Sequence, residues 1–306
     1  MYGFGRLGMT YVENRYNDDD RSGTFNAGDN REEKTQFEHR LRFGIKGTAQ
    51  SDNGMTFTGD MRFQADDAAT GAGDTAHSNQ ATGYASKFTV TYGDLTINAG
   101  NVSIAQDQAM YYVGSLGYTG FMYANPRAYN GDVTNSNWSS TTDFEINAKY
   151  SMNGFTIGAG TSDNAAGVSR NVLTASYTIG NTTIAATTQA SEAAARAQDY
   201  TAVAIMSEIG GVKVGLYGDD YKDGTNAFGM TASTEIQPGL TIAATWATLD
   251  NNVAGDTDEQ FGVGFNYDLG GGVSLGGGFG RMRNTDVNDN NGKGINYSEV
   301  GIVFNF

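Results

Sequence analysis

Apolar and polar residues alternate along most of this 306-residue chain, with the two-residue period of strands and not the 3.6-residue period of helices. Within 258–269, Phe261, Val263, Phe265, Tyr267 and Leu269 share one parity, and Gly262, Gly264, Asn266 and Asp268 the other. Within 54–66, Met55, Phe57, Met61 and Phe63 oppose Thr56, Thr58, Asp60, Arg62 and Gln64. Within 36–49, Leu41, Phe43 and Ile45 oppose Arg40, Arg42 and Lys46. Such strands have one greasy face and one wet face. No segment reaches the roughly 18 consecutive apolar residues of a membrane helix. A closed β-barrel in a membrane satisfies the pattern and leaves no sheet edge unpaired. Two strands are less tidy: Val303 sits on the polar side of the last, and Tyr2 and Phe4 share parity with Arg6 in the first.

Composition agrees only when it is read through this periodicity. There are 17 Tyr and 16 Phe but only 2 Pro, which suits long ladders because Pro removes a donor. Mean hydropathy is −0.42, a value typical of water-soluble chains. A barrel with a wet lumen needs apolar residues on one face only, so bulk hydropathy does not decide. The absence of Cys excludes disulfides and thiolate metal sites. A net charge of −15 argues against nucleic-acid partners. Residues 1–15 contain Arg6 and Arg15 and no continuous apolar run, so they are not a secretory signal, which an exported chain would have lost.

Sixteen strands are predicted, at 2–13, 36–49, 54–66, 82–93, 94–102, 143–152, 154–162, 169–179, 181–189, 198–208, 211–221, 225–237, 239–249, 258–269, 272–283 and 294–306. Seven connections are tight and carry turn residues, such as Asn153-Gly154 and Gly210-Gly211. The others are mostly longer and polar. Short turns at one end and long loops at the other describe an outer-membrane barrel. The expectation is an all-β fold, a single domain over 1–306: a sixteen-stranded antiparallel transmembrane β-barrel. Residues 103–142 stand apart as a connection of about 40 residues, too aromatic for disorder, with Tyr111, Tyr112, Tyr118, Phe121, Tyr123, Tyr129 and Trp138. This long third loop is expected to fold inward and narrow the lumen.

The run Tyr2-Gly3-Phe4-Gly5-Arg6-Leu7-Gly8 with Tyr11-Val12-Glu13, then Gly100-Asn101-Val102, Tyr267-Asp268-Leu269-Gly270-Gly271-Gly272 and the terminal Phe306, resembles the general diffusion porins of photosynthetic alphaproteobacteria (Rhodobacter-type). The resemblance covers most of the chain. It implies a homotrimer in the bacterial outer membrane, in contact with lipid and lipopolysaccharide, through which small hydrophilic solutes diffuse. It also implies a third loop that forms the pore constriction, and a C-terminal Phe read by the assembly machinery.

If the apolar parity faces lipid, Arg6, Arg40, Arg42 and Arg62 face the lumen on three consecutive strands, and Lys46 and Lys87 extend the patch. Glu38 and Asp60 share that parity, so the wall is not purely basic. The porins resembled set such a wall against acids of the inward loop, making a transverse field that favours polar solutes. The candidate acids here are Asp107, Asp132 and Glu145; Asp107 sits where the resemblance puts a loop carboxylate. Acids are few and Arg127 is nearby, a departure that shifts the expected preference toward anions. The blander reading is that these arginines are ordinary solvated lumen residues.

No cofactor is expected. Loop acids such as Asp18, Asp19 and Asp20 offer hard oxygen ligands for Ca²⁺ or for cations bridging lipopolysaccharide phosphates, against the simpler reading of solvated loops. The run Asp286 to Gly292 is no EF-hand, since its Gly falls one place late and Tyr297 stands where Glu is needed. Gly3-x-Gly5-x-x-Gly8 matches a dinucleotide fingerprint with no strand before it and no helix after it. His39 and His77 give no metal spacing, and no G-x-S-x-G occurs. The alternatives are a channel selective for anions or oligosaccharides, a barrel enzyme built on one of the two histidines, and a soluble β protein.

Overall fold

The structure is a computed structural model that describes residues 1–13, 16–17, 30–31, 34–66, 81–83, 86–100, 102, 115–117, 122–123, 144–163, 169–192, 199–250, 257–283 and 294–306. Sixteen staves form one sheet: β1 (Tyr2–Val12), β2 (Thr35–Gln50), β3 (Thr56–Asp66), β4 (Ala81–Gly83 with Lys87–Tyr92), β5 (Leu95–Gly100), β6 (Phe144–Met152), β7 (Phe155–Asp163), β8 (Ser169–Ile179), β9 (Thr182–Ser191), β10 (Tyr200–Ile209), β11 (Val212–Tyr221), β12 (Asn226–Gln237), β13 (Leu240–Asp250), β14 (Thr257–Gly270), β15 (Val273–Arg283) and β16 (Ile295–Asn305). Each pairs antiparallel with its neighbours in sequence, and β16 returns to β1, so the sheet is a closed barrel. All sixteen predicted strands are present, with ends shifted by a residue or two.

The seven tight turns fall at one end, together with both chain termini. At Asn153-Gly154 and Gly210-Gly211 both turn residues have positive φ, as a two-residue type I′ hairpin requires. That turn matches the right-handed twist of its flanking strands, so a two-residue loop suffices. At the seam, the Gly3 amide donates to the Phe306 carbonyl at 2.7 Å and the Phe306 amide to the Gly3 carbonyl at 3.0 Å. Gly3 and Gly5 belong to no nucleotide loop; the rings of Phe306 and Phe304 lie where their side chains would be.

The two faces separate as the periodicity requires. Leu41, Phe43, Ile45, Leu173, Ile205, Val263 and Ile302 are exposed on the outward parity. Opposite them, Gln64, Asn98, Asn147, Gln189 and Glu299 are buried on the lumen parity. A water-soluble protein does not expose such a continuous apolar band; in hydrocarbon the band is at rest. On β1 the ambiguity resolves: Leu7 and Met9 are exposed on the outer face, and Tyr2, Phe4 and Arg6 share the inner one.

β4 departs from the continuous strand expected at 82–93. Phe63 pairs with Gly83 and Asp60 with Lys87, so three steps along β3 match four along β4. The extra residue reverses the parity of β4, which turns Lys87 inward and Phe88 outward. The face of Lys87 was hard to read from alternation alone for this reason.

The outward band generates a test. Ile205 lies at the middle of β10 on the outer face, so Ile205→Arg should destabilise the barrel in lipid by about 2–4 kcal/mol. Thr58→Arg, on the lumen face of β3, should stay within about 0.5 kcal/mol of wild type. Urea unfolding in bilayers measures both; equal losses would contradict the assignment of faces.

Candidate functional site in the barrel lumen

The arginines expected to share a wall do so. Arg6 on β1 pairs directly with Arg40 on β2, Phe4 with Arg42, and Arg42 with Gln64 on β3, while Arg62 faces Gly44. Directly opposed residues have Cβ atoms about 4.5–5.5 Å apart, so the four side chains form one continuous surface. Arg42 Nε donates to Gln64 Oε1 at 2.7 Å, and its guanidinium lies 5.3 Å from the centre of the Phe4 ring. Those contacts hold the group in place, and a guanidinium keeps its charge at any physiological pH. Arg62 is 6 % exposed, set deep in the wall.

Acids interrupt the patch. Lys46, Asp60 and Lys87 occupy one row across β2, β3 and β4. The Tyr2 hydroxyl donates to Asp60 at 2.7 Å, crossing over Gly44 to reach it. A Cβ on Gly44 would stand 2.3 Å from that ring, so a side chain here would displace Tyr2 from this path. Thr10 donates to Glu38 at 3.1 Å on the loop-side flank of Arg40.

The acidic candidates behave differently. Asp107 and Asp132 lie outside the described residues. Glu145, on β6, is 4 % exposed and shares the row of Lys87 through Gly100. Two inter-strand spacings, about 10 Å, separate it from Lys87. Asn147 Nδ2 donates to Glu145 at 3.2 Å, Asn98 to Asn147 at 2.9 Å, and Thr89 to Asn98 at 2.8 Å. Glu145 therefore ends a buried amide ladder beside the basic patch.

Across the barrel, the inner wall of β9 to β13 carries a buried cluster of tyrosines and alanines toward its loop end. Tyr200 stacks on Tyr221 with centroids 4.7 Å apart, and Tyr217 donates to Asp219 at 2.7 Å. Ala185, Ala202, Ala204, Ala227 and Leu249 are buried around them. Of the third loop, Ser115–Leu116 pairs with Met122–Tyr123, and this small ladder lies against β13 and β14. Those staves stand half-way round the barrel from β5 and β6, where the loop leaves and rejoins the wall.

Residues 1–287 match the family model of the Gram-negative porins. The chain belongs to the Gram-negative porin family. It is 32 % identical over 155 residues to a porin of Fuscovulum blasticum, an alignment spanning 50 % of this chain and 42 % of that relative. Solved structures of two mutants of Rh. blastica porin superpose over the whole of both chains, at 23 % identity and TM-scores of 0.74 and 0.73.

In this porin the sequence pattern located the basic residues but not their fixtures. Phe4 under Arg42, Tyr2 on Asp60 and the Thr89 to Glu145 ladder depend on cross-strand register, which alternation within one strand does not give. Once β1, β2 and β3 are aligned, inward parity identifies most of them. Exchanging Arg40 and Arg42 together for Ala should move ion selectivity toward cations, seen as a shifted reversal potential in a salt gradient. An unchanged potential would mean that the wall sets no field.

Proposed function

We propose that this porin is a homotrimeric outer-membrane channel through which small hydrophilic solutes and ions diffuse passively. The observation that carries the reading is the division of faces around a closed barrel, with an apolar exterior and a charged, hydrogen-bonding interior. Polar solutes cross such a lumen while keeping their hydration, and an apolar solute must displace oriented water without replacing its hydrogen bonds.

The third loop, 103–142, is the constriction in this reading. Support comes from its Ser115–Leu116 and Met122–Tyr123 ladder, seated on staves opposite the loop's own roots. The constriction residues are Arg6, Arg40, Arg42, Arg62 and Lys46 on the wall, with Asp107, Asp132 and Glu145 as acids. A preference for anions is a second reading, favoured by the gathering of Arg6, Arg40, Arg42 and Arg62 on one wall. Lipid and lipopolysaccharide cover the exterior. The channel needs no cofactor, and its acidic loops offer oxygen ligands to Ca²⁺.

Membership in a porin family places the chain among channels and not enzymes. His39 stands on the outward parity of β2 opposite Leu7, and His77 lies outside the described residues.

Purified protein in a planar bilayer should give a large ohmic conductance that sugars do not block. Deleting most of 103–142 should raise the single-channel conductance well above that of wild type. No conductance from wild type would contradict the channel; an unchanged conductance on deletion would contradict the constriction.

A further inference from the structure

Between Gly117 of the third loop and the inner wall of β9 to β14 lies a recess of about 610 Å³. That volume falls within the range of small-molecule sites. Its wall residues sit close to the tight turns, so the recess opens on the turn side of the barrel. Two of them are charged: Glu208 on β10 and Lys213 on β11. They are direct cross-strand partners on the lumen parity, with Cβ atoms about 4.5–5.5 Å apart. Among the described residues, neither side chain has an ion-pair or hydrogen-bond partner, and the same holds for Ser233, Thr241 and Asn266 beside them.

An exposed pair of opposite charges contributes little when its members bind each other. Glu208 and Lys213 are both exposed and not locked together, so each keeps its bonding capacity for a third party. A solute with one charge gains from one of them and is repelled by the other. A neutral polyol uses the hydroxyls but displaces water from two ions without replacing their partners, which costs free energy. A solute carrying an ammonium and a carboxylate on one carbon satisfies both through charge-assisted hydrogen bonds. Ser233, Thr241 and Asn266 then serve its remaining polar atoms, and Met206 and Ala243 line the recess beside an apolar side chain.

We propose that this recess is a low-affinity binding site for small zwitterions of the α-amino acid type, a solute preference set outside the arginine wall. The proposal deepens the channel reading and rests on it for its physiological meaning. Because solutes must leave as readily as they enter, the site is weak and saturable.

The test uses L-glutamine as the probe and sorbitol as the neutral control. Saturation-transfer NMR on the whole detergent-solubilised protein should show saturable glutamine binding, and glutamine added on the turn side should reduce single-channel current saturably. Glu208→Gln and Lys213→Gln should each weaken both effects about tenfold, the loss of one charge-assisted contact. The exchange Glu208→Lys with Lys213→Glu should restore much of the binding. Absent glutamine binding, binding unchanged in both single variants, or sorbitol binding of equal strength would overturn the site. Glutamine binding by a protein that conducts no ions would leave the site standing and remove the channel instead.

Discussion

Backbone hydrogen bonding is the constraint from which the rest of this structure follows. Inside hydrocarbon no water replaces a missing partner, and each unsatisfied amide or carbonyl costs several kcal/mol. A sheet meets that condition only when its last strand pairs with its first. Here the terminal residues do so reciprocally, Gly3 with Phe306, and the β1–β16 register continues from Phe4–Asn305 to Val12–Tyr297. Closure fixes every other pairing in the ring, and so decides which side chains become neighbours.

Alternation then converts one closed ladder into two surfaces of opposite chemistry. The charged wall is a consequence: Arg6, Arg40, Arg42 and Arg62 meet because their strands are adjacent and in register, not because they are close in sequence. A single extra residue in β4 shows how tightly function is tied to register. Without it Phe88 would enter the lumen, and Lys87 would be carried into lipid, where a lysine at the midplane costs about 2–4 kcal/mol. The opposite wall carries tyrosines and alanines toward its loop end and the Glu208–Lys213 pair toward the turns, and the described part of the third loop sits against β13 and β14 of that wall.

Strand number, order, turn positions and lumen-facing arginines were legible in the sequence because each depends on a two-residue period or a local turn. Gly210-Gly211 announces its hairpin whatever the rest of the chain does. The inner wall of β10 was not legible, because Tyr200, Ala202 and Ala204 are as apolar as Val203 and Ile205 on the other face. Glu145 was a candidate from its place beside the long loop, but its contact with Asn147 and the ladder through Asn98 come from packing with β5, which no spacing along β6 encodes. Tyr2 reaching Asp60 spans 58 residues of sequence and three strands. Such contacts become visible only after the barrel closes.

Because the chain has no native Cys, the division of faces can be read one position at a time. Nitroxide labels on single cysteines placed successively from Phe261 to Tyr267 on β14, in lipid bilayers, report collisions with oxygen and with a water-borne nickel chelate. Labels at odd positions should favour oxygen and labels at even positions the chelate, in strict alternation. A profile without a two-residue period, or with the chelate favoured at every position, would contradict a barrel with hydrocarbon outside and water within.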